Sequence, residues 1–224
     1  MYKNVIMLIS KNFKKMENVS KLESLDTNTL KLILKNTLDD KREKIQGDFL
    51  TFVKTVWPEF VEGKHHKIYA EKLNRIANGE LKRLIVNMPP RHTKSEFASH
   101  LFPAFFMGRH PKAKLIQTRE LAIRFGRKAK NMIESSEYEK VFPDVRLAAD
   151  SKAAGRWESN HGGEYFAAGV GGAITGRGAD LLIIDDPHSE QDALSPSVLE
   201  SHYEWYTSGP RQRLQPGGAI VLVM

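Results

Sequence analysis

The chain has 224 residues, 41% of them hydrophobic, enough for one large core with a small appendage. Lysine and arginine number 34 against 27 acids, and the formal charge of +7 favours a polyanionic partner such as nucleic acid. The lack of cysteine excludes disulfides and thiolate metal sites, and no apolar run approaches the roughly 20 residues of a membrane helix, so the chain reads as soluble and not exported.

Residues 1–46 are lysine-rich, and Leu22, Leu25, Leu30, Ile33, Leu34 and Leu38 fit one face of a helix. This N-terminal helical arm is either a packing helix or a docking arm for a partner. Residues 47–224 form the main domain. Asp48 to Val56 reads as a short helix closed by Trp57-Pro58, and Lys64 to Ala77 as another, with Gly79 at its stop. From Leu81 onward strand-like runs alternate with helices. The strands are Leu84–Asn87, Lys114–Thr118, Tyr165–Ala168, Leu181–Asp185 and Ala219–Met224. The helices start near Lys94 and run over Ala122–Ser135 and Pro196–Leu214. That alternation predicts an α/β domain with a mainly parallel sheet flanked by helices. The last run reads as a buried strand cut off at its end, so the chain is expected to be a fragment of a longer protein.

Two segments carry the chemistry. Leu84-Ile85-Val86-Asn87-Met88-Pro89-Pro90-Arg91-His92-Thr93-Lys94-Ser95 is an apolar run, a tight loop and a Lys-Ser pair at the start of a helix. The strict G-x-x-x-x-G-K-[ST] pattern is not met, because Met88 and Thr93 stand at its glycine positions. Its physical parts survive. Pro89 and Pro90 donate no N–H, so an anion nest must use the amides of Arg91 through Ser95. Lys94 can reach terminal phosphates and the Ser95 hydroxyl can ligate magnesium. Thr93 is β-branched, so it either keeps an ordinary backbone region or carries strain.

About ninety residues on, Leu181-Leu182-Ile183-Ile184 ends in Asp185-Asp186-Pro187. An acid at such a strand end suits the magnesium shell, and the next one suits orientation of an attacking water. Asp186 is one methylene shorter than the more common Glu, roughly 1.5 Å of reach, and it is also placed to cap the turn at Pro187. Together the two segments point to a P-loop ATPase using ATP and Mg2+. Before the acidic strand, a glycine-rich stretch from Gly169 to Asp180 carries Arg177 between two glycines, and it reads either as an exposed cation for DNA or phosphate or as a plain flexible loop. His65-His66 fit either adenine stacking or packing. His92 shapes the loop backbone, and His188 reads as a solvated turn residue. Arg211 and Arg213 fit either an arginine finger for a neighbouring subunit or an ordinary helix-end pairing with the dipole.

These residues together resemble the ATPase domain of the large terminase subunit of tailed bacteriophages. Pro89-Pro90-Arg91-His92-Thr93-Lys94-Ser95-Glu96 resembles its deviant Walker A, which usually has glycine where Thr93 stands. Thr175 to Pro187 resembles its Walker B region, and Trp57-Pro58 with Lys64-His65-His66 resembles the segment that approaches adenine. The likeness covers about residues 48–224. It implies an ASCE/RecA-like P-loop NTPase fold and a homo-oligomeric ring that drives double-stranded DNA into a procapsid in the host cytoplasm, with the portal protein and small terminase subunit as partners. By motif matching, Pro90, Arg91, His92, Thr93, Lys94, Ser95 and His66 bind nucleotide. Ser95 and Asp185 hold the metal, Asp186 is the catalytic carboxylate, and Arg91 senses or stabilises the γ-phosphate. The family's nuclease domain has no counterpart in these residues, so no DNA cleavage is expected.

Two alternatives stay open: a helicase or translocase of the same superfamily, for which 224 residues leave no second lobe, and a non-catalytic nucleotide- or DNA-binding module. A metal nuclease fails chemically, because Phe166 stands where Pro143-Asp144 with Glu164 would require a lysine.

Overall fold

The computed structural model describes residues 26–118, 122–151, 153–169, 174 and 176–224. The chain divides into two units that meet between Ile45 and Gln46. Helix α1 (Thr27–Gly47) carries the first. Of the leucines expected to share its face, Leu30 is buried and Leu38 exposed, while Leu22 and Leu25 lie outside the described residues.

The second unit is built on six strands: β1 (Arg83–Val86), β2 (Lys114–Thr118), β3 (Arg156–Glu158), β4 (Glu164–Ala168), β5 (Ala179–Asp185) and β6 (Leu214–Val223). Their spatial order is β1-β6-β5-β2-β4-β3. Neighbours are parallel except β3, which runs antiparallel to β4. Leu181 through Ile184 are all buried, as a parallel strand covered on both faces requires. Side chains alternate along β5. Leu182 and Ile184 join Ile116 and Ile220 under Trp205 and Tyr206 of helix α7 (Pro196–Ser208).

The other face receives a π-helix (Glu96–Leu101) that runs into α4 (Phe102–Arg109). Two further helices stand behind these: α2 (Phe49–Val56) and α3 (Lys64–Ala77). Rings interlock between them, with Phe49 edge-on to Phe97, Phe102 and Phe105 at 5.3–5.5 Å between centroids. Asp48 caps α2 by accepting from Thr51 N–H, and Asn74 of α3 donates to the same carboxylate. Helices α5 (Ala122–Ile133) and α6 (Ser136–Val141) follow β2. Among the described residues, no helix is long and apolar enough to cross a membrane.

The end of the last helix and the start of the last strand differ from the sequence expectation. The last helix stops at Ser208, not Leu214, because Gly209-Pro210 opens a 3-10 turn over Pro210–Arg213 and proline cannot continue the ladder. Strand β6 consequently begins at Leu214 rather than Ala219. Short β3 and α6 carried no periodic signal. What fixes β3 is tertiary: Trp157 is fully buried, stacks on Tyr165 at 4.6 Å and donates to the Gly126 carbonyl.

Candidate functional site at the carboxyl ends of the strands

Strand β6 lies between β1 and β5, so the loop after β1 and the acids after β5 are two strand spacings apart, about 10 Å. Two side chains close that gap. Lys94 Nζ donates to Asp186 Oδ1 at 2.6 Å, and Ser95 Oγ donates to Asp185 Oδ1 at 3.0 Å. Residues some ninety positions apart in sequence thus form one cluster, at the end of a parallel sheet where α/β proteins place ligands.

The loop achieves this with unusual backbone. Arg91 and Thr93 have φ of 65° and 61°, and Asp186 has φ of 43°. Thr93 therefore takes the strained alternative, and each left-handed residue of this kind costs on the order of 1–3 kcal/mol. A side-chain chain holds Thr93 there. Gly63 N–H donates to His66 Nδ1 at 2.8 Å, which leaves the proton on Nε2. Nε2 meets Thr93 Oγ1 at 2.6 Å, and Thr93 Oγ1 donates to the His92 carbonyl at 2.6 Å. His92 Nδ1 bonds the Pro90 carbonyl at 2.9 Å, in keeping with a role in shaping the loop.

His66 thus occupies the packing position. It is buried, both ring nitrogens are engaged, and Phe60, Phe97 and His65 cover it at 3.8–5.2 Å. Burial, with the neighbouring His65, lowers its pKa, so it stays neutral as the Gly63 bond requires. Its position three residues into α3, with its ring returning to the cap residue, explains the burial. His65, half-buried beside His92 at 5.7 Å, is the imidazole that remains near the surface.

Asp185 is fully buried, and a second hydroxyl holds it: Ser99 Oγ donates to Oδ2 at 2.7 Å. Sequence reasoning missed Ser99, although its spacing of four from Ser95 puts both on one helix face. The π-helix carries Ser99, and π-turns often sit at functional sites. Tyr69 was also missed. Its buried hydroxyl lies 3.4 Å from the Lys94 carbonyl, and burial with the nearby Asp185 carboxylate raises its pKa. Glu96 accepts from His100 at 2.9 Å and from Lys128 of α5. Burial opposes its ionisation, but these two bonds prevail and bring its pKa to about 2.

Three basic candidates lie elsewhere. Arg177 is not a free cation: it pairs with Glu164 at 3.0 Å and covers the Phe166 ring at 4.4 Å. It sits with the start of β4, at the opposite end of the sheet, as do Arg211 and Arg213 before β6. Of the glycine-rich stretch, residues 170–173 and 175 lie outside the described residues. His188 is not simply solvated, because its Nδ1 meets His202 Nδ1 of α7 at 2.7 Å with the rings stacked.

Among the described residues, no group of three or more His, Cys, Asp or Glu could hold a metal by itself. The cluster does offer one hydroxyl and one carboxylate, which suits magnesium when substrate phosphates supply further ligands. Exposed Arg91 and the amides through Ser95 flank it. No protein-family model matches this chain, and no curated protein matches it.

Proposed function

We propose that the chain is a magnesium-dependent ATPase of the P-loop, ASCE/RecA-like type, and the motor domain of a viral DNA-packaging terminase. The observation that carries the ATPase reading is the convergence of Lys94 with Asp186 at 2.6 Å and of Ser95 with Asp185 at 3.0 Å. An ammonium, a hydroxyl and two carboxylates at a strand–loop–helix anion seat make the set that phosphoryl transfer needs.

In this reading Lys94 binds the terminal phosphates and the loop amides cradle the anion. Arg91 reaches the γ-phosphate from the exposed side. Ser95 and Asp185 would hold magnesium, whose bound charge offsets that of the triphosphate. Ser99 keeps Asp185 aimed, and Asp186 orients the attacking water and takes its proton. Nucleotide must draw Lys94 away from Asp186, so the ion pair competes with ATP.

The packaging assignment, with duplex DNA, portal protein, small subunit and a ring of copies as partners, rests on the motif resemblance together with the basic charge. A module that binds without turnover is the second reading. Strained Thr93 and the engaged Asp186 favour it.

Binding of a fluorescent ATP analogue and phosphate release, measured separately, test the proposal. Lys94→Ala should abolish binding. Asp186→Asn should bind as tightly as the parent or several-fold tighter, since it removes the competing charge, while release stops. Loss of binding in Asp186→Asn would overturn the assigned roles. Tight binding without release by the parent would establish the second reading.

A further inference from the structure

At the other end of the sheet, where β1, β2 and β5 begin, lies a cleft of about 630 Å³. Strand β5 is seven residues long, which puts this cleft about 20 Å from the Lys94–Asp186 pair. Lys82, Arg109 and Lys112 line it, with the backbone of Gly79, Gly217 and Gly218.

The charge is unbalanced. Among the described residues, Lys82 and Lys112 are exposed with no acid partner. Arg109 is half-buried on the Phe105 ring at 5.7 Å, and its hydrogen bond goes to the neutral Asn78 carbonyl oxygen at 2.8 Å. A partly desolvated guanidinium without a counter-charge is costly unless an anion completes it. Asp180 is the acid of the cleft, and one of its oxygens is already taken by Lys114 N–H at 2.7 Å. Concave walls focus the resulting positive field outward.

We propose that this cleft seats the phosphodiester backbone of double-stranded DNA, with Arg109 as the central contact and Lys82 and Lys112 on the rim. The choice of duplex DNA among phosphate-bearing partners rests on the packaging reading, whereas the charge imbalance does not. Phosphate contacts carry no sequence information, so binding at this cleft is independent of sequence. Motor and track then occupy opposite ends of one sheet.

The test is fluorescence anisotropy of a labelled duplex titrated with the full chain between about 50 and about 200 mM salt. Lys82→Gln/Lys112→Gln alters only exposed side chains, and Arg109→Gln extends it. The double variant should bind two unrelated duplexes about tenfold more weakly, with a log–log salt slope shallower by about 2. Its binding of the ATP analogue should match the parent's. Unchanged duplex affinity and slope would overturn the assignment. So would loss of inorganic pyrophosphate binding in the variant with duplex binding intact, which would mark a small-anion pocket. If the parent itself binds no duplex, the packaging reading falls as well, whereas unchanged binding in the variant removes only this cleft.

Discussion

Thr93 concentrates the conflict between local preference and site geometry. A β-branched residue at φ 61° is strained, yet its hydroxyl joins His66 Nε2 to the His92 carbonyl. These two effects can be separated. Thr93→Ser keeps the hydroxyl and sheds the branch, so it should raise stability by a few tenths to about 1 kcal/mol. Thr93→Val keeps the branch and strands the buried His66 N–H, so it should cost about 1–3 kcal/mol. Urea denaturation of the two variants decides the point, and equal stabilities would mean that the His66 bond contributes nothing. A glycine here would need no clamp.

At the scale of elements, the π-helix is the part that turns a helix start into a support for the buried Asp185 carboxylate. Ser95 and Ser99 leave one face and take the two oxygens of Asp185 at 3.0 and 2.7 Å. Ser99→Ala should leave Oδ2 of a buried carboxylate short of a donor and destabilise the domain by about 1–3 kcal/mol. Its telling signature lies in the metal dependence of nucleotide binding. The variant should need more magnesium for half-maximal binding of the ATP analogue, while metal-free binding stays at the parent's level. A loss of stability with no change in magnesium dependence would make Ser99 a packing residue only.

Across the whole molecule, Glu96 joins the π-helix that follows Lys94-Ser95 to α5 through His100 and Lys128. Its ordinary pKa of 4.5 falls to about 2 in the folded chain. The unfolded chain therefore binds the proton first as pH drops, and the carboxylate's contribution is complete above 4.5 and fades as pH falls through about 2. The stability difference between parent and Glu96→Gln should hold steady from neutral pH to about 5 and vanish near pH 2. A difference that persists at pH 2 would show that the interaction does not depend on charge.

The sequence by itself determined the alternation of strands and helices, the apolar run buried on both faces of β5, and the pairing of a Lys-Ser loop with an Asp-Asp strand end. Those features are local: period, turn residues and charge at fixed spacing leave a mark in any window that contains them. The tertiary structure decided the rest. The insertion of β6 between β1 and β5 sets the distance that Lys94 must span, and pairing order has no local code. His66 passed from a candidate for base stacking to a buried clamp because Gly63 took one ring nitrogen and Thr93, 27 residues away, took the other. Arg177, expected as an exposed cation, is instead engaged by Glu164 and Phe166 at the far end of the sheet. A side chain's chemistry is written at its own position, but its partner is chosen by the fold.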